Sequence, residues 1–369
     1  MMFSPTYVPI FRLRQEEKKV LVSFNFQNEI YPYIEIFKHR ERKLTISKRN
    51  RSKMEKTFDQ EYLPTLERIK SEKIFLDLPV HLKSSRKMTP EVLNFLRGVI
   101  EKREERTKYI ILLQKLSDKI IPVISTYSQL TAEQNSIISQ SNDLRSIYKT
   151  LSFRTSSTTF YNDMEQIKKV IEPQDYLFVD LEEYCLSNED DLYSIEFMLN
   201  EIENFKQCHV VYINSPIARS TTNSGLDHGK RLAHADNSLM DIVWGYGGKS
   251  FSDYVGIKKD VVESGGAISP GYIMYDAVEN SFYGFKGRYK KIEDFEDIIV
   301  PAVMNSIPVE RMRNTDAEYL SRDNVGWRML EDIVSGVEKP KSQSKFKRIS
   351  MEHYLYCIRK KIQDGYFLL

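Results

Sequence analysis

Apolar and polar positions along this chain follow two periods in turn. Short runs rich in β-branched and aromatic residues recur eight times, at 7–13, 30–37, 73–80, 119–126, 147–154, 175–181, 208–214 and 251–257. Each run is apolar on both faces, the pattern of a strand buried on both sides of a sheet. Between the runs the spacing turns helical. Thr89, Pro90 and Glu91 supply an N-cap, a proline at the first helical position and an acid in the first turn. Thr131 and Gln134 have capping-box spacing. Leu192, Ile195, Leu199 and Ile202 fall on one helical stripe. Regular alternation of strand and helix predicts an α/β protein with a parallel sheet, and eight units predict closure into a (β/α)8, TIM-like barrel. The rival is an open doubly wound sheet, which lacks its glycine-rich turn here, because Leu13 to Glu17 follow the first run.

Beyond the eighth run the rhythm breaks. Residues 272–277 and 282–286 flank Glu279, Asn280 and Ser281 and predict an aromatic hairpin. A helix is expected over 295–305, and two more around 317–337 and 351–363, separated by a basic linker at 339–348. The expected organisation is a barrel over 1–310, carrying a basic loop insertion at 38–56, followed by a C-terminal helical region over 311–369.

Composition narrows the function classes. A hydrophobic fraction of 41% supports a core of this size, and a net charge of +2 gives no global preference for a polyanion. The cysteines Cys185, Cys208 and Cys357 are odd in number and scattered, which argues against a disulfide framework or a zinc–thiolate site. No run approaches the roughly 18–20 apolar residues that span a bilayer, so the reading is a soluble, cytoplasmic protein without a membrane partner. Phosphate-loop, nucleophile-elbow and zinc-protease motifs are missing, and no haem, flavin or nucleotide cofactor is indicated.

Candidate chemistry lies in the polar residues that interrupt the apolar runs: Glu35, Asp77, Arg154, Asp180 and Asp253, with Arg12 or Arg14 and Gln15 from the first. In a closed barrel the C-terminal ends of the strands share one mouth, so these charges are expected to share one cavity. Buried carboxylates need partners, because an uncompensated charge costs several kcal/mol. One reading is a structural ion-pair network. The favoured reading is a ligand or catalytic site built on Glu35, Asp77, Arg154, Asp180 and Asp253. On that reading Glu35, Asp77, Asp180 and Asp253 are oxygen ligands suited to Mg2+ or Mn2+. Arg14, Gln15, Tyr254, Gly265 and Gly266 are the further ligand-binding candidates, the glycines by close backbone approach to a phosphate. The expected partner is an anionic ligand. The expected reaction is metal-assisted phosphoryl or phosphodiester hydrolysis, with Asp253 or Glu35 as base and Arg154 offsetting charge. His81 is a minor candidate just past the third run. The 38–56 insertion holds nine Lys or Arg against two Glu. It admits nucleic acid as a partner without favouring it, since no aromatic residue lies between Phe37 and Phe58 for base stacking.

The stretches 7–15, 30–36, 75–78, 177–181 and 251–256, with Ser269–Gly271 and Asn324–Trp327, resemble the phage-type beta protein family over roughly 7–330. The resemblance implies a barrel found in phages, bacterial genomes and mobile elements, with polar positions at Gln15, Glu35, Asp77, Arg154, Asp180, Asp253 and Tyr254. It attaches no reaction to them. A second function class therefore stands beside the enzyme: a non-catalytic interaction module in phage–host conflict or phage defence. Its unknown protein partner would meet the hairpin aromatics Tyr272, Tyr275, Phe282, Tyr283 and Phe285 and the helical tail.

Overall fold

Alternate residues of eight parallel strands point to a common axis. In the computed structural model these strands are Tyr7–Arg12, Tyr33–Glu35, Ile74–Asp77, Ile120–Ile124, Ser152–Ser156, Tyr176–Asp180, His209–Ile213 and Ser250–Asp253, closed into a barrel in chain order with the eighth paired to the first. The structure describes residues 4–38, 56–79, 88–125, 133–184, 188–235, 244–259, 269–339 and 342–367. Val8, Ile10, Tyr33, Phe75, Phe178 and Ile213 are among the side chains that fill the axis as one apolar cluster. Phe75 anchors it, its ring edge-on to Tyr176 and Phe178 at 4.9 Å from each. Their neighbours Tyr7, Phe11, Ile34, Leu76, Leu177 and Phe251 face outward into a second layer beneath the helices. Each apolar run is thus consumed by two cores at once, which is why it lacks polar alternation.

All eight expected strands are present. The fifth sits later than its run because Tyr148 still belongs to the preceding helical turn, its amide bonded to the Leu144 carbonyl. Among the described residues no helix is long and apolar enough to cross a membrane.

The hairpin forms at Gly271–Asp276 and Ser281–Lys286, and gains a third strand, Lys230–His234, from the segment between barrel strands seven and eight. That strand is polar and half-exposed, with no apolar alternation to mark it. The hairpin aromatics Tyr272, Tyr275, Phe282, Tyr283 and Phe285 are buried and do not form an outward partner surface.

They are covered by a helix at Gln343–Gln363, which begins inside the stretch expected to be a linker, where Ser342 accepts the Lys345 amide as its cap. This helix packs on the first helix, Gln15–Ser23, on the helix Val325–Val334 and on the hairpin. Tyr354 reaches from it to Asp253 at the end of strand eight and sets its ring edge-on to Tyr7 of strand one, 6.4 Å between centroids. Two glycines admit the helix. A Cβ on Gly256 would lie 2.8 Å from the Tyr354 ring, and one on Gly326 would collide with the His353 amide. The helix therefore takes the place that follows the eighth strand and closes the barrel wall, after an excursion through the hairpin.

A buried acid in the wall yields a pH test. Asp163, on the helix Phe160–Val170, accepts the Thr159 hydroxyl at 2.6 Å, and burial pushes its carboxyl up to about 7. Between its ordinary value and about 7, the unfolded chain has released a proton that the folded chain keeps, so this group's contribution to stability falls as pH rises through that window. Asp163→Asn is expected to exceed the wild type in stability at pH 8 by about 1–3 kcal/mol and to match it more closely at pH 5. Urea midpoints at the two pH values read this. A variant less stable at both would mean that the charged carboxylate is well accommodated.

Candidate functional site

The C-terminal ends of strands one, two and three place Arg12, Glu35 and Asp77 side by side, as register partners on neighbouring strands. Strand five sends Arg154 across the mouth toward them. Its Nη1 donates to Glu35 Oε1 at 3.1 Å and to the Tyr33 hydroxyl at 3.1 Å, and lies 3.5 Å from Asp77 Oδ2. Its Nη2 donates to Asp180 Oδ2 at 2.6 Å and to the Tyr254 hydroxyl at 3.2 Å. Arg12 Nε holds the other oxygen of Glu35 at 2.8 Å. Lys259, just past strand eight, reaches Asp180 at 3.1 Å, and Tyr33 donates to Asp77 at 2.8 Å. All of these groups are buried. Three cations and three carboxylates thus form one network around the axis.

Burial opposes the charge on Arg154, but the surrounding oxygens of Tyr33, Tyr254, Asp180 and Glu35 outweigh it and hold the guanidinium protonated. Lys259 behaves alike, with Asp180 overriding desolvation. Asp77 goes the other way: burial pushes its carboxyl up to about 7 although Arg154 pulls it down. Its single cation contact is the longest in the network, so desolvation wins there.

Two strand ends carry backbone strain. Asp180 Oδ1 accepts the Glu182 amide at 2.9 Å, and Asp253 Oδ1 accepts the Val255 amide at 2.8 Å. In each turn the accepted residue is left-handed, with φ +54° at Glu182 and +56° at Val255. For a β-branched valine this conformation is an outlier, of the kind that clusters at functional sites. It sets the chain direction immediately after Tyr254.

The structure brings together Glu35, Asp77, Arg154, Asp180 and Tyr254 of the expected site. It corrects others. Asp253 faces away from the mouth: strand eight turns Ser250, Ser252 and Tyr254 toward the axis, so the residue between them points out. Its carboxylate accepts the hydroxyls of Tyr7, at 2.6 Å, and of Tyr354. Asp253 is thus neither a base nor a metal ligand of this cavity. Arg14 stands at the N-cap position of the first helix, its guanidinium 5.9 Å from the Phe37 ring centre, and Arg12 has the inward place. Gln15 opens that helix on the exposed surface. Gly265, Gly266, His81, Cys185 and nearly all of the 38–56 insertion lie outside the described residues. The sequence reading missed Tyr33 and Lys259. Tyr33 stands two residues before Glu35 and shares its face, so strict alternation could have marked it. Lys259 lies beyond its strand, and no local signal points to it.

The expected Mg2+ or Mn2+ required four acids to converge. With Asp253 turned outward and Arg154 lodged among the other three, the donor set does not fit a divalent cation. Among the described residues no three His, Cys, Asp or Glu side chains are placed to hold a metal ion.

A family model described as Beta protein matches residues 7–359, reaching into the closing helix. Among solved structures, the chain is similar to a glycoside hydrolase family 5 protein from Bacteroides vulgatus ATCC 8482, at 14% identity and a TM-score of 0.39, over 67% of this chain and 57% of that one. The match spans less than two thirds of that protein, and nothing about activity follows from it. No curated protein matches the chain.

Proposed function

We propose, on the premise that this chain belongs to the Beta protein family, that its barrel mouth binds a small anionic ligand through a phosphate or similar oxyanion. The observation that carries this reading is Arg12 Nη1, a buried guanidinium nitrogen with no hydrogen-bond partner among the described residues. A buried donor left unmade costs about 1–3 kcal/mol, more when charged. A ligand oxyanion supplies the missing acceptor. Arg154 and Lys259 lie in the same buried network, where a low dielectric strengthens their pull on an anion. The carboxylates hold these cations in place. The hydrolysis expected from the sequence rested on a metal and on Asp253 or Glu35 as base; Asp253 points out of the mouth and both oxygens of Glu35 are held by Arg12 and Arg154, so the proposal is one of binding.

Calorimetry with inorganic phosphate and pyrophosphate tests it, in wild type and in Arg12→Met. Saturable binding in the wild type, weakened about tenfold or more in the variant, is expected from loss of a charged hydrogen bond. Heats indistinguishable from those of chloride at equal ionic strength would end the reading.

A further inference from the structure

The hydrogen-bonding capacity left open in the mouth differs from one side to the other. On the side of strands one and eight the open groups are donors. Arg12 Nη1 has no partner among the described residues, and the guanidinium lies 5.6 Å from the centre of the Tyr254 ring. Lys259 approaches the same ring at 5.4 Å. The Tyr254 hydroxyl accepts from Arg154 and donates to no acceptor among the described residues. On the side of strand three the open group is an acceptor. Asp77 Oδ2 takes the Tyr33 hydroxyl, while Oδ1 is buried with no donor among the described residues.

We propose that the ligand is a hydroxylated anion, its charged group held beside Arg12 and Tyr254 and one hydroxyl donated to Asp77 Oδ1. This rests on the anion-binding reading above and names the rest of the molecule. Arg12 and Asp77 stand on strands separated only by that of Glu35, so their backbones are about 10 Å apart and their side chains converge from there. That separation suits a short carbon skeleton with the hydroxyl two or three carbons from the anion, as in a sugar phosphate or a hydroxycarboxylate. An ammonium group is a poorer fit for Asp77, because Arg154 already stands 3.5 Å from that carboxylate and would repel it. A neutral hydroxyl meets no such repulsion.

The test uses matched probes on the wild-type protein: glycerol 3-phosphate against propyl phosphate, and glycerate against propanoate. At pH 8, where the Asp77 carboxyl is charged, the hydroxylated member of at least one pair is expected to bind about tenfold or more tightly, the value of one hydrogen bond to a charged acceptor. Which pair shows it tells phosphate from carboxylate. Asp77→Ala is expected to reduce the difference within that pair to less than about twofold, whatever it does to the affinity of both members. Equal binding within both pairs would overturn this inference and leave the anion site standing, as would phosphoethanolamine outcompeting glycerol 3-phosphate. No binding by any probe would remove both.

Discussion

Replacing Arg154 with methionine is expected to destabilise the fold by about 3–5 kcal/mol at pH 8, the cost of breaking a buried ion pair by removing one partner. The volume is nearly kept, so the loss is electrostatic. Glu35 retains Arg12, and Asp180 retains Lys259. Asp77 retains the Tyr33 hydroxyl and loses its one cation contact in the network. The Asp77 carboxyl, already at about 7 through burial, then moves higher. With the unfolded value unchanged, the folded variant holds its proton over a wider range, and its stability recovers as pH falls from 8 toward 5. The deficit in urea midpoint should shrink over that interval, and Asp77→Asn added to Arg154→Met should recover part of it at pH 8. A loss below about 1 kcal/mol with no pH dependence would show that the mouth is well hydrated.

A chain ending at residue 339 is expected to lose its cooperative unfolding transition and its fixed near-ultraviolet signal. The deleted helix buries Phe346, Ile349, Met351, Leu355, Ile358 and Ile362 against the hairpin and barrel. At about 1.5–3 kcal/mol for each buried apolar side chain, these contacts are comparable with the whole stability of a typical domain, about 5–15 kcal/mol. The deletion also uncovers the seam between strands eight and one, where Tyr354 bonds Asp253 and packs on Tyr7. Tyr354→Phe probes that seam alone and should cost about 1–3 kcal/mol, since Asp253 would lose one buried donor. A sharp, wild-type-like urea transition in the truncated chain would show that the C-terminal region is an independent appendage.

The candidate site was legible in part. Glu35, Asp77, Arg154 and Asp180 stand out as charges inside apolar runs, and a buried charge there demands partners whatever the topology. The errors have two origins. Arg14 would share the face of Arg12 by alternation, but strand one ends at Arg12 and Arg14 already stands at the start of the first helix. Asp253 and Tyr254 are neighbours, and only Tyr254 reaches the axis. A step of one residue along a strand exchanges the inner and outer faces. Runs apolar on both faces carry no alternation from which the inward set can be chosen. The aromatic hairpin was found as an element and mistaken in role, because its pattern does not show what will lie on top of it.

The sequence by itself determined the eight strands, their order and the height at which charge enters the barrel, since these follow from local period and from the apolar demand of a doubly covered sheet. Only the tertiary structure decided which side chains share the buried network, that Arg154 stands where a metal was expected, and that the last helix closes the wall. Those outcomes depend on register around a closed ring and on contacts between residues hundreds of positions apart, such as Tyr7 with Asp253, which no local window of the chain contains.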